Sequence, residues 1–348
     1  MKKSLRYLLS LPILPILFLF AFSLPVHAEE SGWEKKDGKW YYHKASGELK
    51  TGYLRFGNDM YYLDPESGAM QTGWTQVGKK WYYFSPATGA MKTGWLKKGK
   101  NWYYLNPATG VMKTGWLQTD RNVWYYLDPA TGAMKTGWKE IKGKWYHFAP
   151  SGEMSTGWVG SGSAKYFLKN DGSMAVSEVL MLQGKRQGFS GTGLWLGDKS
   201  DSFMDAYEKA IKFVNSHTDA SMSKVKKLRT CFDLFRTDFK EMNPWIPHYK
   251  GMDWVEKYAN ACLDSKTGNC ISYGACLGLM ARAIGYDDVY GCNSGGHGWV
   301  EIDGKVYDPE WTQHRPGNYF GRELRQGDSP NYLGSVARTG NSWQYRKI

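Results

Sequence analysis

Between Gly32 and about Ala175 aromatic and polar positions recur in step. Gly-Trp or Gly-Tyr places an aromatic at Trp33, Tyr53, Trp74, Trp95, Trp116, Trp138 and Trp158, a period of 20 to 22 residues. A fixed period of that length marks an array of supersecondary units. One unit, Gly-Trp-Leu-Lys-Lys-Gly-Lys-Asn-Trp-Tyr-Tyr-Leu-Asn-Pro-Ala-Thr-Gly-Val-Met-Lys-Thr (94–114), holds an aromatic strand, a Pro-Ala-Thr-Gly turn and a short second strand. That is the pattern of a β-hairpin. A single short hairpin cannot bury its own apolar face, so residues 29–176 are expected to stack into a β-hairpin solenoid.

Beyond Ala175 the periodicity changes. Residues 177–201, with Gly-Lys-Arg-Gln-Gly-Phe-Ser-Gly-Thr-Gly from Gly184, read as a Gly-rich linker. From Ser202 to about Phe239 apolar residues at Phe203, Tyr207, Ile211 and Val214 follow a helical period. Residues 271–284 are mostly apolar or small and too long for one buried strand, which predicts a core helix ending at Gly285. Gly298 to Asp308 alternates around Asp303-Gly304, a strong hairpin signal. Helices and strands therefore segregate in a second, α+β domain over residues 202–348.

The start of the chain has a different pattern again. Lys2, Lys3 and Arg6 precede an apolar run from Tyr7 to Phe22, and Val26-His27-Ala28 precedes Glu29-Glu30. Charge, apolar core and small terminal residue in that order describe a signal peptide over residues 1–28. Pro12 and Pro15 interrupt a stretch already short for a bilayer, and no later segment is apolar enough to span one. The expected mature protein is exported and held without a membrane span.

Composition adds two constraints. Residues 29–176 hold 20 basic and 13 acidic residues, whereas residues 177–348 hold 22 and 20, so the basic excess sits in the repeats. In an exported protein that charge favours envelope polyanions, and no nucleic-acid-binding motif is present. The 5 cysteines all lie beyond residue 230, and an odd number leaves at least one thiol outside any intramolecular pairing. Their spacing specifies no connectivity among the others.

The repeats hold 11 of the 17 tryptophans. Many rings must form the stack's core, yet rings grouped at the junctions suit a quaternary ammonium by cation–π attraction or a sugar face by stacking. Four units fill both Trp positions seven residues apart: Trp33 with Trp40, Trp74 with Trp81, Trp95 with Trp102, and Trp138 with Trp145; Trp116 with Trp124 is stretched by one. Gly-Trp, Gly-Lys-Trp-Tyr-Tyr-Phe and Gly-x-Met-Lys-Thr-Gly-Trp resemble the choline-binding, or cell-wall-binding, repeats of Gram-positive surface proteins. The resemblance implies cages for choline on teichoic acid, built from two Trp of one hairpin, an aromatic of the next, and a Met such as Met91 or Met112. Related repeats bind cell-wall or other glycan instead. Tyr53 and Met60 replace both Trp in the second unit, and Tyr166 replaces one in the last.

Cys270 follows Thr267-Gly268-Asn269 and opens the apolar helix, which puts its sulfur where the helix N-terminus favours an anion. Cys276 lies deeper in that helix, Cys231 and Cys262 lie in amphipathic helical stretches, and Cys292 lies in a Gly-rich loop. If Asp303-Gly304 is a two-residue turn, Ile302 pairs with Lys305 and Trp299 with Asp308, making His297 and Asp308 diagonal neighbours on one face. In that register Glu310 stands directly opposite His297 as a second orienting carboxylate. Lys-Thr-Gly-Asn-Cys270, the helix to Ala-Ile-Gly285-Tyr, Gly-His297-Gly-Trp-Val-Glu and Val-Tyr-Asp308 are similar to the core of the transglutaminase-like superfamily, a papain-related cysteine fold. The similarity implies Cys270 as nucleophile, His297 as general base and acid, and Asp308 as its orienting residue.

The resulting expectation is a wall-bound enzyme that attacks peptide or amide bonds through a thioester, with hydrolysis favoured over cross-linking and a protein or peptide as substrate. The competing expectation is a non-enzymatic adhesin with a silent transglutaminase-like scaffold. No cofactor or metal is implied, because the histidines lack ligand spacing.

Overall fold

The structure is a computed structural model that describes residues 31–162, 164–242, 251, 253–294, 297–314, 317–323 and 344–348. The leader at residues 1–28 lies outside the described residues. No helix among them is long and apolar enough to cross a membrane.

The repeats form antiparallel hairpins. They are β1 (Gly32–Lys36) with β2 (Lys39–His43), β3 (Gly52–Phe56) with β4 (Asp59–Leu63), β5 (Gly73–Val77) with β6 (Lys80–Phe84), and β7 (Gly94–Lys98) with β8 (Asn101–Leu105). There follow β9 (Gly115–Gln118) with β10 (Trp124–Leu127), β11 (Gly137–Ile141) with β12 (Lys144–Phe148), β13 (Gly157–Ser161) with β14 (Ala164–Leu168), and β15 (Glu178–Leu182) with β16 (Lys185–Phe189). The two-residue turns explain the hairpins. Asp37-Gly38 has φ of 51° and 77°, and Lys142-Gly143 and Gln183-Gly184 repeat that left-handed pair. Such primed turns match the twist of the flanking strands.

Backbone bonds reach back from one repeat to an earlier one. Met70 N donates to Trp40 O at 2.8 Å, Met112 N to Trp81 O at 2.8 Å, and Met154 N to Trp124 O at 2.8 Å. Each methionine then runs beneath the turn glycine of the following unit: a Cβ on Gly110, whose φ is +71°, would sit 2.4 Å from Met91 Sδ. The last residue of each second strand from β4 onward, among them Leu63, Phe84, Leu105 and Phe148, is wholly buried. One residue per hairpin thus supplies the apolar centre that no hairpin has alone.

The segment expected to be a linker is instead an eighth hairpin. It lacks Gly-Trp, so its repeat signature is faint, but Gln183-Gly184 supplies the same turn and Trp195 N donates to Lys165 O at 2.9 Å. It is also bonded to the following domain. Gly191 N donates to Arg282 O at 2.8 Å, and the Tyr207 hydroxyl donates to Phe189 O at 2.9 Å.

The C-terminal domain is α+β. Its elements are α1 (Asp201–His217), α2 (Lys224–Thr237), β17 (Lys240–Glu241), α3 (Trp254–Ser265), β18 (Thr267–Gly268), α4 (Cys270–Ile284), β19 (Val289–Asn293), β20 (Gly298–Ile302), β21 (Lys305–Tyr307), α5 (Pro309–His314), β22 (Phe320–Glu323) and β23 (Gln344–Lys347). The antiparallel sheet has the order β22-β21-β20-β19-β23. Helix α4 is apolar on nearly every face because it is enclosed, and Leu277, Leu279 and Met280 are wholly buried. Each such side chain stabilises the fold by about 1.5–3 kcal/mol. Gly285, with φ of 113°, ends the helix where its sequence signal predicts.

Candidate functional site

Two sites emerge, one in the hairpins and one in the C-terminal domain. In the hairpins, first-strand tryptophans are held by ring contacts, although Trp116, Trp138 and Trp158 are also exposed, and the second-strand tryptophans stand in solvent. Trp74 meets Tyr103 of the following hairpin at 4.9 Å and 67°, whereas Trp81 is 40% exposed. A second-strand indole about two-fifths exposed recurs at Trp40, Trp81, Trp102, Trp124 and Trp145. Trp74, Trp81, Tyr103 and Met112 line a cavity of about 330 Å³, with Ala130 and Thr131 at its edge. Trp116, Trp124, Tyr146 and Met154 line another of about 300 Å³, with the rings of Trp116 and Trp124 6.0 Å apart at 85°. The carboxylate-bearing Asp171 lines this second cavity as well.

The other expected pairs show parts of the same arrangement. Trp33 and Trp40 stand edge to face at 6.5 Å, and Trp33 meets Tyr61 at 5.0 Å. Trp95 and Trp102 stand at 6.4 Å and 86°. Trp138 meets Tyr166 at 5.1 Å as Trp116 meets Tyr146 at 4.9 Å; contrary to expectation the hairpin register puts Lys165, not Tyr166, at the second Trp position of the last unit, and Trp145 is 42% exposed.

In the C-terminal domain the approach to Cys270 is tightly specified. Lys266 turns left-handed to end α3, β18 pairs in parallel with β17, and Asn269 caps α4 by accepting from Ser272 N at 3.1 Å. Cys270 is therefore the first residue of α4 and is partly exposed. Two glycines let β20 close on this helix. A Cβ on Gly298 would lie 2.5 Å from Ile271 Cα, and one on Gly274 would lie 2.8 Å from the Trp299 carbonyl carbon. Only hydrogen fits at either contact.

His297 immediately precedes β20. Ser294 closes its loop, donating backbone N–H to His297 O at 2.9 Å and accepting His297 N–H on Oγ at 3.2 Å. The ring lies nearly parallel to Trp311, 4.6 Å away, and its Nε2 bonds to Asp308 Oδ2 at 2.5 Å. Asp308 is fully buried, and its Oδ1 accepts from Trp311 N at 2.9 Å. It thus caps α5 as well as holding the histidine, with Pro309 in the first helical position.

That cap changes the expected position of Glu310. Pro309 cannot extend the ladder, β21 ends at Tyr307, and Glu310 falls on α5 instead of opposite His297 in the sheet. The carboxylate still reaches the ring: Glu310 Oε2 is 3.7 Å from His297 Nδ1. Cys270 Sγ, a His297 ring nitrogen and a Glu310 carboxylate oxygen lie within 4.8 Å of one another. Burial opposes charge on the His297 ring, but the hydrogen bonds with Asp308 and Cys270 and the charges on both push its pKa up to about 10. Burial also raises the Glu310 carboxyl above its ordinary value, against the lowering effect of His297.

The remaining cysteines are buried. No disulfide joins any of the five cysteines, Cys292 lies in β19 instead of a loop, and burial pushes the Cys276 thiol well up and Cys231 to about 12.

The hairpins and the domain together define a class: a stacked aromatic repeat array followed by an α+β domain carrying a cysteine, a histidine and two carboxylates in contact. The array is more specific. Residues 71–114 and 135–178 match the choline-binding repeat family, and residues 31–49 and 114–134 match the putative cell wall binding repeat. Among solved structures, CbpJ from Streptococcus pneumoniae is 38% identical over 48% of this chain and 58% of its own, with a TM-score of 0.43. Choline binding protein F from Streptococcus pneumoniae is 36% identical over 48% and 57%, also at a TM-score of 0.43. The pneumococcal cell wall endolysin from phage Cp-1, complexed with choline, is 30% identical over 42% and 37%, at a TM-score of 0.23. This chain thus spans less than two thirds of the first of these structures. No curated protein matches it.

Proposed function

We propose that this protein is an exported enzyme of the bacterial surface whose choline-binding repeats dock it on the cell wall and whose transglutaminase-like domain performs acyl transfer. For the repeats, the supporting observation is the cavity of two indoles, a phenol ring and a methionine thioether. Aromatic walls of that kind attract a quaternary ammonium, worth roughly 2 kcal/mol or more per site when desolvated. Several modest sites on one chain hold it on a polymer bearing many cholines. Displacement of the full chain from a choline resin by free choline tests this reading, and retention at high choline would overturn it.

For the domain, the observation that carries the reading is one geometry: His297 bonded through Nε2 to buried Asp308, with the Cys270 sulfur within 4.8 Å of a ring nitrogen. Asp308 fixes the ring orientation and balances its charge. In the proposed reaction Cys270 sulfur attacks the amide carbonyl carbon, and the C–N bond breaks as His297 delivers its proton to the departing amine. The acyl group is left as a thioester on Cys270. His297 then takes a proton from an incoming water, the oxygen attacks the thioester, and the carboxylic acid departs as the C–S bond breaks, leaving the Cys270 thiolate beside a protonated His297. An amine in place of water would give a new amide. The buried ring, enclosed by Trp311, keeps this proton shuttle out of bulk solvent.

Mass spectrometry of wall peptides and protein substrates after incubation with the full chain tests the reading, with Cys270→Ala as control. Products that gain water mark a hydrolase, and joined products that lose ammonia mark a cross-linking enzyme. Absence of any Cys270-dependent product across the set would leave a wall-binding protein with a silent domain.

A further inference from the structure

The nucleophile reading leaves one group without a task. Glu310 Oε2 is buried and has no hydrogen-bond partner among the described residues, although it lies 3.7 Å from His297 Nδ1. A buried carboxylate oxygen without a partner is costly unless a proton or cation comes to it. The neighbours it faces are a thiol sulfur and an imidazole nitrogen, both within 4.8 Å. We infer that Cys270, His297 and Glu310 form a site for a thiophilic divalent cation of the Zn²⁺ class, which caps the Cys270 sulfur and holds it reversibly inactive.

The donor set fits that ion. Zn²⁺ accepts sulfur, imidazole nitrogen and carboxylate oxygen together, and three protein donors leave a fourth tetrahedral position to water. Bonds of about 2.0–2.3 Å at tetrahedral angles put donors about 3.3–3.7 Å apart, so closing around the ion takes roughly an ångström of side-chain movement. The residue behind the histidine is already the right one. Asp308 bonds Nε2 at 2.5 Å, fixing the ring with Nδ1 3.7 Å from Glu310 Oε2, and a carboxylate behind a ligating histidine is a recurrent support of zinc sites. On binding, the ion replaces the proton that His297 shares with the cysteine and releases it to solvent.

Sequence spacing carries no sign of this site, since its donors come from the first turn of α4, the residue before β20 and α5. An exposed competitor lies beside it. Glu241, Glu310 and His314 also lie within 4.8 Å of one another, with His314 Nε2 3.2 Å from Glu241 Oε2. That group lacks sulfur, which separates the two by experiment.

The test uses the full chain and Zn²⁺ alone, with affinity read by competition with a chromophoric chelator and Cys270 accessibility read as its alkylation by iodoacetamide. One equivalent of Zn²⁺ is expected to protect Cys270 from alkylation, and a chelator to restore it. Cys270→Ala should weaken binding at least 100-fold, Glu310→Gln at least 10-fold, and His314→Ala less than 2-fold. Glu310→Gln is conservative and lies at a half-open position, so unchanged thermal unfolding will show that it folds. Co²⁺ in place of Zn²⁺ should give a sulfur-to-metal charge-transfer band that disappears in Cys270→Ala. Equal affinity in the parent and Cys270→Ala, alkylation unaffected by Zn²⁺, or a larger loss in His314→Ala than in Glu310→Gln would overturn the inference. Because no readout needs turnover, the inference stands or fails separately from the acyl-transfer reading.

Discussion

The hairpin array and the C-terminal domain solve opposite problems with similar residues. In the array each hairpin from the second onward ends its second strand on a wholly buried residue, such as Leu105 or Phe148, and keeps its second-strand tryptophans at the surface, where Trp81 and Trp145 remain about two-fifths exposed. In the domain the aromatics go inward: Trp254 and Tyr273 are buried, and Trp311 is packed against His297. A site made many times can rest on weak, exposed elements, because loss of one cage leaves the others. A site made once needs a buried, fully bonded support. Substitutions should therefore have graded effects in the array and all-or-none effects in the domain.

The largest effect should come from Cys270→Ala. Removing a covalent nucleophile should cost turnover at least about a thousandfold. Retention on a choline resin should not change, and full residual activity would break the contrast at its strongest point. Asp308→Asn follows, with a loss of about a hundredfold or more in turnover.

Asp308→Asn has a second signature in stability. The folded pKa of His297 is raised from 6.5 to about 10, so the folded protein binds the proton that the unfolded chain releases. The corresponding stability is fully present below about pH 6.5, declines above it, and is lost as pH rises through about 10. Thermal unfolding from pH 6 to 10.5 should show that decline in the parent and a smaller one in Asp308→Asn. Turnover should likewise fall as His297 loses its proton near pH 10. Parallel stability curves for the two proteins would remove Asp308 as the source of the shift.

The sequence is legible where structure is local. The repeat period, the Asp303-Gly304 turn and the Gly285 end of α4 are each set by a few adjacent residues with special backbone requirements. The eighth hairpin is harder to read because its turn persists while its Gly-Trp marker is gone. Register counted outward from Asp303-Gly304 places Glu310 opposite His297, but Asp308 and Pro309 stop the ladder by starting a helix. The pairing of His297 with Asp308 follows from register, but the distance from either to Cys270 does not. That distance depends on Gly274 and Gly298, whose importance appears only when α4 and β20 are in contact.

Gly298→Ala should therefore have the next largest effect, and it acts without touching a reactive group. Its Cβ would meet the Ile271 backbone at 2.5 Å, where no flexible side chain can give way. Overpacking of that kind costs about 1–3 kcal/mol. Lower thermal stability is expected, together with reduced turnover, as β20 and α4 separate. A stable variant with normal turnover would show that the domain tolerates movement between histidine and cysteine, contrary to its all-or-none character.

The smallest effect should be that of Trp81→Ala. The substitution opens one wall of the cavity formed with Trp74, Tyr103 and Met112 but leaves the buried face of the hairpin untouched, because Trp81 is already 40% exposed. Folding should be unchanged within about 0.5 kcal/mol. The affected cage should lose roughly 1–2 kcal/mol of cation–π attraction. With the Trp116, Trp124, Tyr146 and Met154 cage intact, the chain should still bind a choline resin and elute at a moderately lower choline concentration. Combining it with Trp124→Ala should lower that concentration further, in steps. Complete loss of retention from Trp81→Ala alone would mean that one cage dominates, and that the array depends on a single site as the domain does.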